Sequence, residues 1–103
     1  MKRLTSEQHE LLSLIKERTD RDDSGNLKSF FYPHKDQWCD ALKKTIAVDG
    51  AGCASMIKSF IRNGLVVKPN NETRGAWSYC AAITEDGILA IEEYREATGF
   101  YVK

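Results

Sequence analysis

A change of hydrophobic period between residues 49 and 68 most constrains what this chain can fold into. Four apolar side chains recur at the spacing of one helix face: Cys53, Met56, Ile57 and Phe60. Asp49 is placed to cap this helix, and Asn63-Gly64 is a typical helix end. The next four residues, Leu65 to Lys68, are mostly apolar and β-branched, which favours a strand. The segment therefore predicts a helix followed at once by a strand.

A second strand-like segment, Trp77 to Ile83, follows after a stretch of turn residues. Residues 69–75 read Pro-Asn-Asn-Glu-Thr-Arg-Gly, which is the chemistry of turns. Two β-rich segments separated by turn residues predict an antiparallel hairpin with a long tip. Leu27 to Tyr32 is too short for a helix before Pro33, and we expect it to form a third strand at the edge of this hairpin.

Helices are predicted on both sides of these strands. Thr5 and Gln8 have the spacing of a capping box, and the first helix is predicted from Ser6 to Thr19. Thr84 is placed to cap a last helix that ends near Gly99. Both helices carry apolar residues on one side, so both are expected to contribute to one hydrophobic core.

The remaining segments complete one α+β domain over residues 1–103. Asp20 to Asn26 is polar and is predicted to be a surface loop, and Pro33 is predicted to open a second helix. The order is helix, strand, helix, helix, hairpin, helix, which is an α+β arrangement. The expected core consists of Leu11, Ile15, Leu42, Ile57, Phe60, Leu65 and Ile88.

Composition allows one small domain and favours no partner by charge alone. The 103 residues include 15 Lys plus Arg and 15 Asp plus Glu, so the formal net charge is zero. A deep substrate cavity is not expected at this size, and nucleic acid would be attracted only by charges segregated onto one face. Three cysteines without close-pair spacing argue against a disulfide framework and fit a reducing cytosol. No apolar stretch is long enough to span a membrane, so we expect a cytoplasmic protein.

No constellation of side chains predicts catalysis. His34, Asp36 and Cys39 combine an imidazole, a carboxylate and a thiol, but His34 and Cys39 do not share a helix face and no second ligand pair occurs. His9 is predicted to be a surface residue of the first helix. Gly50-x-Gly52 is too short for a nucleotide-binding fingerprint. We therefore expect no enzyme activity, no metal site and no cofactor.

Residues 48–66 read Val-Asp-Gly-Ala-Gly-Cys-Ala-Ser-Met-Ile-Lys-Ser-Phe-Ile-Arg-Asn-Gly-Leu-Val. This segment resembles the recognition-helix region of winged helix-turn-helix proteins, especially MarR-like regulators. The cap at Asp49, the apolar core positions and the Asn63 to Val66 junction carry the likeness. It continues through the hairpin, with Arg74 at the wing tip, and through residues 83–87, which are similar to the threonine-x-x-glycine start of the helix after the wing. The likeness covers about Ser6 to Tyr94.

The resemblance implies a winged helix-turn-helix fold and a small transcriptional regulator that binds double-stranded DNA. The third predicted helix would lie in the major groove, and the wing would reach the backbone or the minor groove. Phosphate contacts would come from Lys58, Arg62, Lys68 and Arg74, and Ser55 and Ser59 would touch the groove. The outward face of the helix has no Asn or Gln to read adenine, so sequence preference should be modest.

A second interpretation is a winged-helix module that binds another protein, as an adaptor or an inhibitor. The third predicted helix is rich in Gly and Ala, and its small side chains suit close contact with a protein surface. A homodimer is expected from the apolar tail Phe100-Tyr101-Val102 and from the general prevalence of two-fold pairing. Duplex binding that weakens with salt would favour the regulator over the interaction module.

Overall fold

The computed structural model describes residues 4–31, 50–68 and 80–99, with the backbone alone at 50–54. These residues form helices α1 (Ser6–Arg18), α2 (Gly50–Arg62) and α3 (Glu85–Thr98). Their strands are β1 (Asp20–Arg21), β2 (Leu27–Ser29), β3 (Val66–Val67) and β4 (Ala82–Ile83). The described residues confirm an α+β fold. The second predicted helix, which begins at Pro33, and the predicted cap at Asp49 lie outside them.

Helix α1 begins with the predicted capping box. The Thr5 hydroxyl accepts a hydrogen bond from the backbone N–H of Gln8 at 3.1 Å, and the Gln8 side chain accepts one from the backbone N–H of Thr5 at 2.9 Å. These two bonds satisfy amides that have no partner inside the helix. Leu11 and Ile15 are fully buried on one side of the helix. The last helical residue is Arg18, and Thr19 follows as the cap.

The predicted surface loop from Asp20 to Asn26 is partly wrong, because its first two residues form a strand. Antiparallel pairing joins Asp20 to Ser29 and Arg21 to Leu27, so β1 and β2 form a short hairpin. The Asp22 carboxylate accepts hydrogen bonds from the backbone N–H groups of Ser24 and Asn26, both at 2.9 Å. This turn brings the two strands together without any buried side chain, so hydrophobic periodicity gives no signal for it.

The predicted hairpin after α2 is confirmed where the structure describes it. β3 and β4 are antiparallel, with Val66 opposite Ile83 and Val67 opposite Ala82. The edge-strand prediction for Leu27 to Tyr32 holds at one residue. Phe31 forms an isolated bridge with Ala81 through backbone hydrogen bonds of 2.9 and 3.0 Å, whereas Leu27–Ser29 pairs with β1. The hairpin tip lies outside the described residues.

Helix α2 ends at a tight junction that leads directly into β3. The backbone N–H of Leu65 donates to Phe60 O at 2.9 Å, and that of Gly64 donates to Ile61 O at 3.1 Å. Gly64 has φ 75°, the left-handed conformation that closes this type of helix end. Phe60 and Leu65 are both buried beside the junction. The predicted end at Asn63-Gly64 is therefore confirmed.

Helix α3 begins where Thr84 ties it to the same junction. The Thr84 hydroxyl accepts from the backbone N–H of Gly87 at 3.1 Å and donates to Gly64 O at 2.7 Å. The backbone N–H of Thr84 donates to Leu65 O at 3.1 Å. Gly87 is buried, and a Cβ placed there would meet Leu65 O and would come within 2.6 Å of Ile83 Cγ1. The threonine-x-x-glycine spacing thus permits close approach of α3 to the β3 entrance.

One hydrophobic cluster joins the described helices and the β3–β4 hairpin. Most of the predicted core belongs to it: Leu11, Ile15, Ile57, Phe60 and Leu65. Ile88 packs at its edge and is half-buried, and Leu42 lies outside the described residues. Leu12, Phe31 and Ile91 are fully buried members that the sequence argument left out. The core fixes the buried side of α2 and leaves its other side to solvent.

Candidate nucleic-acid interface

The exposed side of α2 carries the four helix residues predicted to contact DNA. Ser55, Lys58, Ser59 and Arg62 are spaced by three, four and seven residues from the first, so they share one helix face. Ser59 is half-buried and the other three are exposed. On the opposite face, Ile57 and Phe60 have exposed fractions of 0% and 1%. Burial of these two side chains holds the polar face outward.

Asn63 extends this face by one residue and was missed by the sequence argument. Its side-chain amide donates to Ser59 O at 3.0 Å and to Ser59 Oγ at 3.5 Å. Asn63 is exposed, and the amide oxygen can accept hydrogen bonds from solvent or a ligand. The spacing of four residues from Ser59 was the available signal. The Asn63 side chain therefore contacts both the backbone and the hydroxyl of Ser59 in the last turn of α2.

The two remaining predicted contacts belong to the hairpin. Lys68 is exposed and follows β3 directly. Val67, the residue before it, is also exposed, at 42%. Arg74 lies outside the described residues. The structure thus brings Ser55, Lys58, Ser59 and Arg62 onto one face and places Lys68 directly after the first strand of the hairpin.

Charge is distributed unequally between α2 and α3. Helix α2 contains Lys58 and Arg62 and no acidic residue. Helix α3 contains a single basic residue, Arg95, and five exposed acidic side chains: Glu85, Asp86, Glu92, Glu93 and Glu96. A zero net charge for the whole chain is therefore compatible with a positive face on α2 and a negative face on α3. Phosphate would be attracted to the former and repelled by the latter.

A surface groove of about 560 Å³ lies between the end of α1, the first hairpin and the start of α3. Arg21 on its wall donates to Gly25 O at 3.0 Å and to Ile83 O at 3.4 Å. The Thr19 hydroxyl accepts from the backbone N–H of Ile83 at 3.0 Å. The two bonds to Ile83 hold the first hairpin and the end of α1 against β4, which is a structural role.

His9 is buried, and its prediction as a surface residue is wrong. Only 3% of it is exposed, because α3 packs over this side of α1. Its ring stacks on Tyr94 with centroids 4.4 Å apart, and its Nε2 accepts a hydrogen bond from Arg95 Nε at 3.0 Å. Burial lowers the pKa of His9, the Arg95 guanidinium lowers it further, and Glu10 acts in the opposite direction. The imidazole therefore favours its neutral form.

Other reactive groups of the described residues offer little for catalysis. Cys80 is fully buried, and burial raises the pKa of its thiol, so the nucleophilic thiolate is disfavoured. Across residues 4–31, 50–68 and 80–99, no group of three or more His, Cys, Asp or Glu is placed to hold a metal ion. His34, Asp36 and Cys39 lie outside these ranges. The polar face of α2 is thus the candidate site.

Comparisons with known proteins gave no match among family models, curated sequences or solved structures. No helix in the described ranges combines the length and the apolar character that crossing a bilayer requires.

Proposed function

We propose that this chain is a small winged-helix DNA-binding protein that acts as a transcriptional regulator. Helix α2 would lie in the major groove, and the β3–β4 hairpin would form the wing. One observation carries this proposal. The exposed face of α2 presents Ser55, Lys58 and Arg62 and contains no carboxylate. The opposite face of the same helix is buried in the core.

The order of elements around α2 supports the same function. An amphipathic helix is followed, after a junction of three residues, by an antiparallel hairpin and then by α3. Thr84 links the start of α3 to the end of α2 through its 2.7 Å bond to Gly64 O. In helix-turn-helix proteins, the recognition helix enters the major groove while neighbouring elements contact the backbone. Lys68, directly after β3, is available for such a backbone contact from the proposed wing.

Affinity would come mainly from phosphate contacts. Lysine and arginine release counterions when they neutralise phosphates, and each contact adds about one unit to the dependence of log K on log salt. Ser55 and Ser59 are short, so they suit groove or phosphate contacts that contribute little base discrimination. We therefore expect modest sequence preference and strong salt dependence.

Fluorescence anisotropy with a labelled duplex, measured across salt concentrations, tests the proposal. The double variant Lys58→Ala/Arg62→Ala should reduce the magnitude of the salt slope by about two units, one for each lost phosphate contact. Lys16→Ala/Lys28→Ala is the matched control, because it removes the same charge from exposed positions on α1 and β2. The control should keep the slope of the original protein.

Two results would count against DNA binding through α2. One is a folded protein that binds no duplex at low salt, with circular dichroism showing the helices intact. The other is an equal loss of slope in both double variants, which would indicate attraction by total charge rather than by this face. The first result would leave the protein-interaction module as the better interpretation. Light scattering would measure whether the chain forms the expected homodimer.

A further inference from the structure

His9 is a buried titratable side chain that the proposed DNA contacts do not use. It joins two helices that are far apart in sequence, since it is hydrogen-bonded to Arg95, 86 residues away. Arg95 also donates to Ser13 Oγ at 3.4 Å, so its guanidinium bridges two residues that are one turn apart on α1. Tyr94, the neighbour of Arg95, stacks on the imidazole. Tyr94 and Arg95 thus link the C-terminal half of α3 to His9 on α1.

The direction of the hydrogen bond fixes the charge state in which this contact exists. Arginine stays protonated and can only donate, so Nε2 of His9 must accept and the proton of the neutral ring lies on Nδ1. A proton added to Nε2 would place two N–H groups against each other. It would also place a second positive charge within hydrogen-bond distance of the guanidinium. The observed contact requires a neutral imidazole.

We propose that His9 and Arg95 form a proton-operated clasp between α1 and the C-terminal half of α3. The clasp is closed while the imidazole is neutral and opens when the imidazole takes up a proton. The clasp does not depend on the proposed DNA binding. It is tested by measuring the titration of His9 and the stability of the fold, and neither measurement involves DNA.

The groups around His9 act in opposite directions. Glu10 on α1 favours the protonated ring, whereas Arg95 on α3 disfavours it, and Tyr94 on α3 stacks on the ring. Burial and Arg95 prevail, so the pKa of His9 in the folded chain lies below its ordinary value of 6.5. The unfolded chain therefore binds the proton first. Stability is full above about pH 6.5 and is lost as pH falls through the lower, folded pKa.

Nuclear magnetic resonance of the imidazole nitrogens tests the clasp in the unaltered protein. The sequence contains two histidines, and the variant His34→Asn assigns the His9 signals. We expect the Nδ1–H tautomer at neutral pH and a titration midpoint below about 6.5. A midpoint at or above that value, or the opposite tautomer, would overturn the proposal.

Urea unfolding at several pH values between about 5.5 and about 8 tests its effect on stability. In the unaltered chain, the midpoint urea concentration should fall toward acid. His9→Gln keeps an acceptor near Arg95 but does not titrate, so its midpoint should fall less. If His9→Gln does not fold, Arg95→Gln replaces it, because loss of the guanidinium brings the pKa of His9 back toward its ordinary value and reduces the same dependence. A pH dependence equal to that of the original chain would contradict the clasp.

Amide hydrogen exchange locates the opening. Exchange rates corrected for the intrinsic effect of pH should show protection lost toward acid at residues 92–98 more than at residues 85–91. Arg95→Gln should reduce this contrast. An equal loss along the whole of α3 would place the effect of the proton elsewhere in the fold.

Discussion

The two ends of α3 are anchored by different kinds of interaction. At the N-terminal end, Thr84 and Gly87 meet the backbone of Gly64 and Leu65 through neutral hydrogen bonds and close packing. In the C-terminal half, the anchor is the stacked and hydrogen-bonded His9. The first anchor depends on shape and is insensitive to protons, whereas the second depends on charge. One helix can therefore be firmly placed at its start and adjustable toward its end.

The largest expected effect is at Gly87, where the shape requirement is strictest. In Gly87→Ala, the new Cβ would lie 2.6 Å from Ile83 Cγ1 and would press on Leu65 O, which is closer than such atoms pack. We expect a loss of about 3 kcal/mol in the free energy of unfolding. Urea titration at about pH 5.5 and about pH 8 should give the same loss, because no titrating group is involved.

Gly64→Ala is the control for Gly87→Ala. A Cβ at Gly64 meets no atom within 4 Å, so the cost there comes from the positive φ alone. We expect about 1 kcal/mol. Equal losses in the two variants would mean that close packing does not set the position of the start of α3.

The hydroxyl of Thr84 should have the next largest effect. Thr84→Ala removes the acceptor for Gly87 N and the donor to Gly64 O, at a cost of about 1 to 2 kcal/mol. Thr98→Ala is the matched change at the other end of α3, where the exposed hydroxyl donates to Tyr94 O within the same helix. Its cost should stay below about 0.5 kcal/mol. Thermal or urea unfolding of the two variants compares the cap with a hydrogen bond inside the helix. Similar losses in both variants would contradict a special anchor at the start of α3.

Among the residues that anchor α3, the smallest expected effect is at Tyr94. Tyr94→Leu removes the ring that stacks on His9, and we expect a loss of about 1 kcal/mol near pH 8. The loss should be smaller near pH 5.5, since an imidazole that is less covered takes up a proton at a lower cost. Urea titration at the two pH values measures this difference. The same loss at both pH values would mean that the C-terminal anchor, like the N-terminal one, is insensitive to protons.

Local signals in the sequence predicted the anchor at the start of α3 better than the anchor toward its end. Thr84, the Gly64 junction and the face formed by Lys58 and Arg62 follow from spacing within a few residues. The burial of His9 depends on Arg95 and Tyr94, which are distant in sequence, so periodicity within α1 gives no sign of it.

The strand β1 was not predicted, for a similar reason. Asp20 and Arg21 are exposed, and their strand is stabilised by backbone pairing with β2 rather than by an apolar pattern. For the candidate site, the helix face could be predicted because one side of α2 must be buried. The position of Lys68 relative to that face depends on how the hairpin packs, which no local pattern specifies.

Because Cys80 is buried, the reaction of its thiol can report on local opening of the fold. Cys80 precedes Ala81, whose backbone is hydrogen-bonded to that of Phe31. While this part of the sheet is closed, the thiol is buried, and burial favours its protonated form. An alkylating reagent can reach it only during transient openings, so the reaction rate is proportional to the population of open molecules when closing is fast. Peptide mapping separates the product from those of Cys39 and Cys53. The rate of labelling at Cys80, compared with that of an exposed thiol, would thus give the free energy of opening at this bridge without an engineered cysteine.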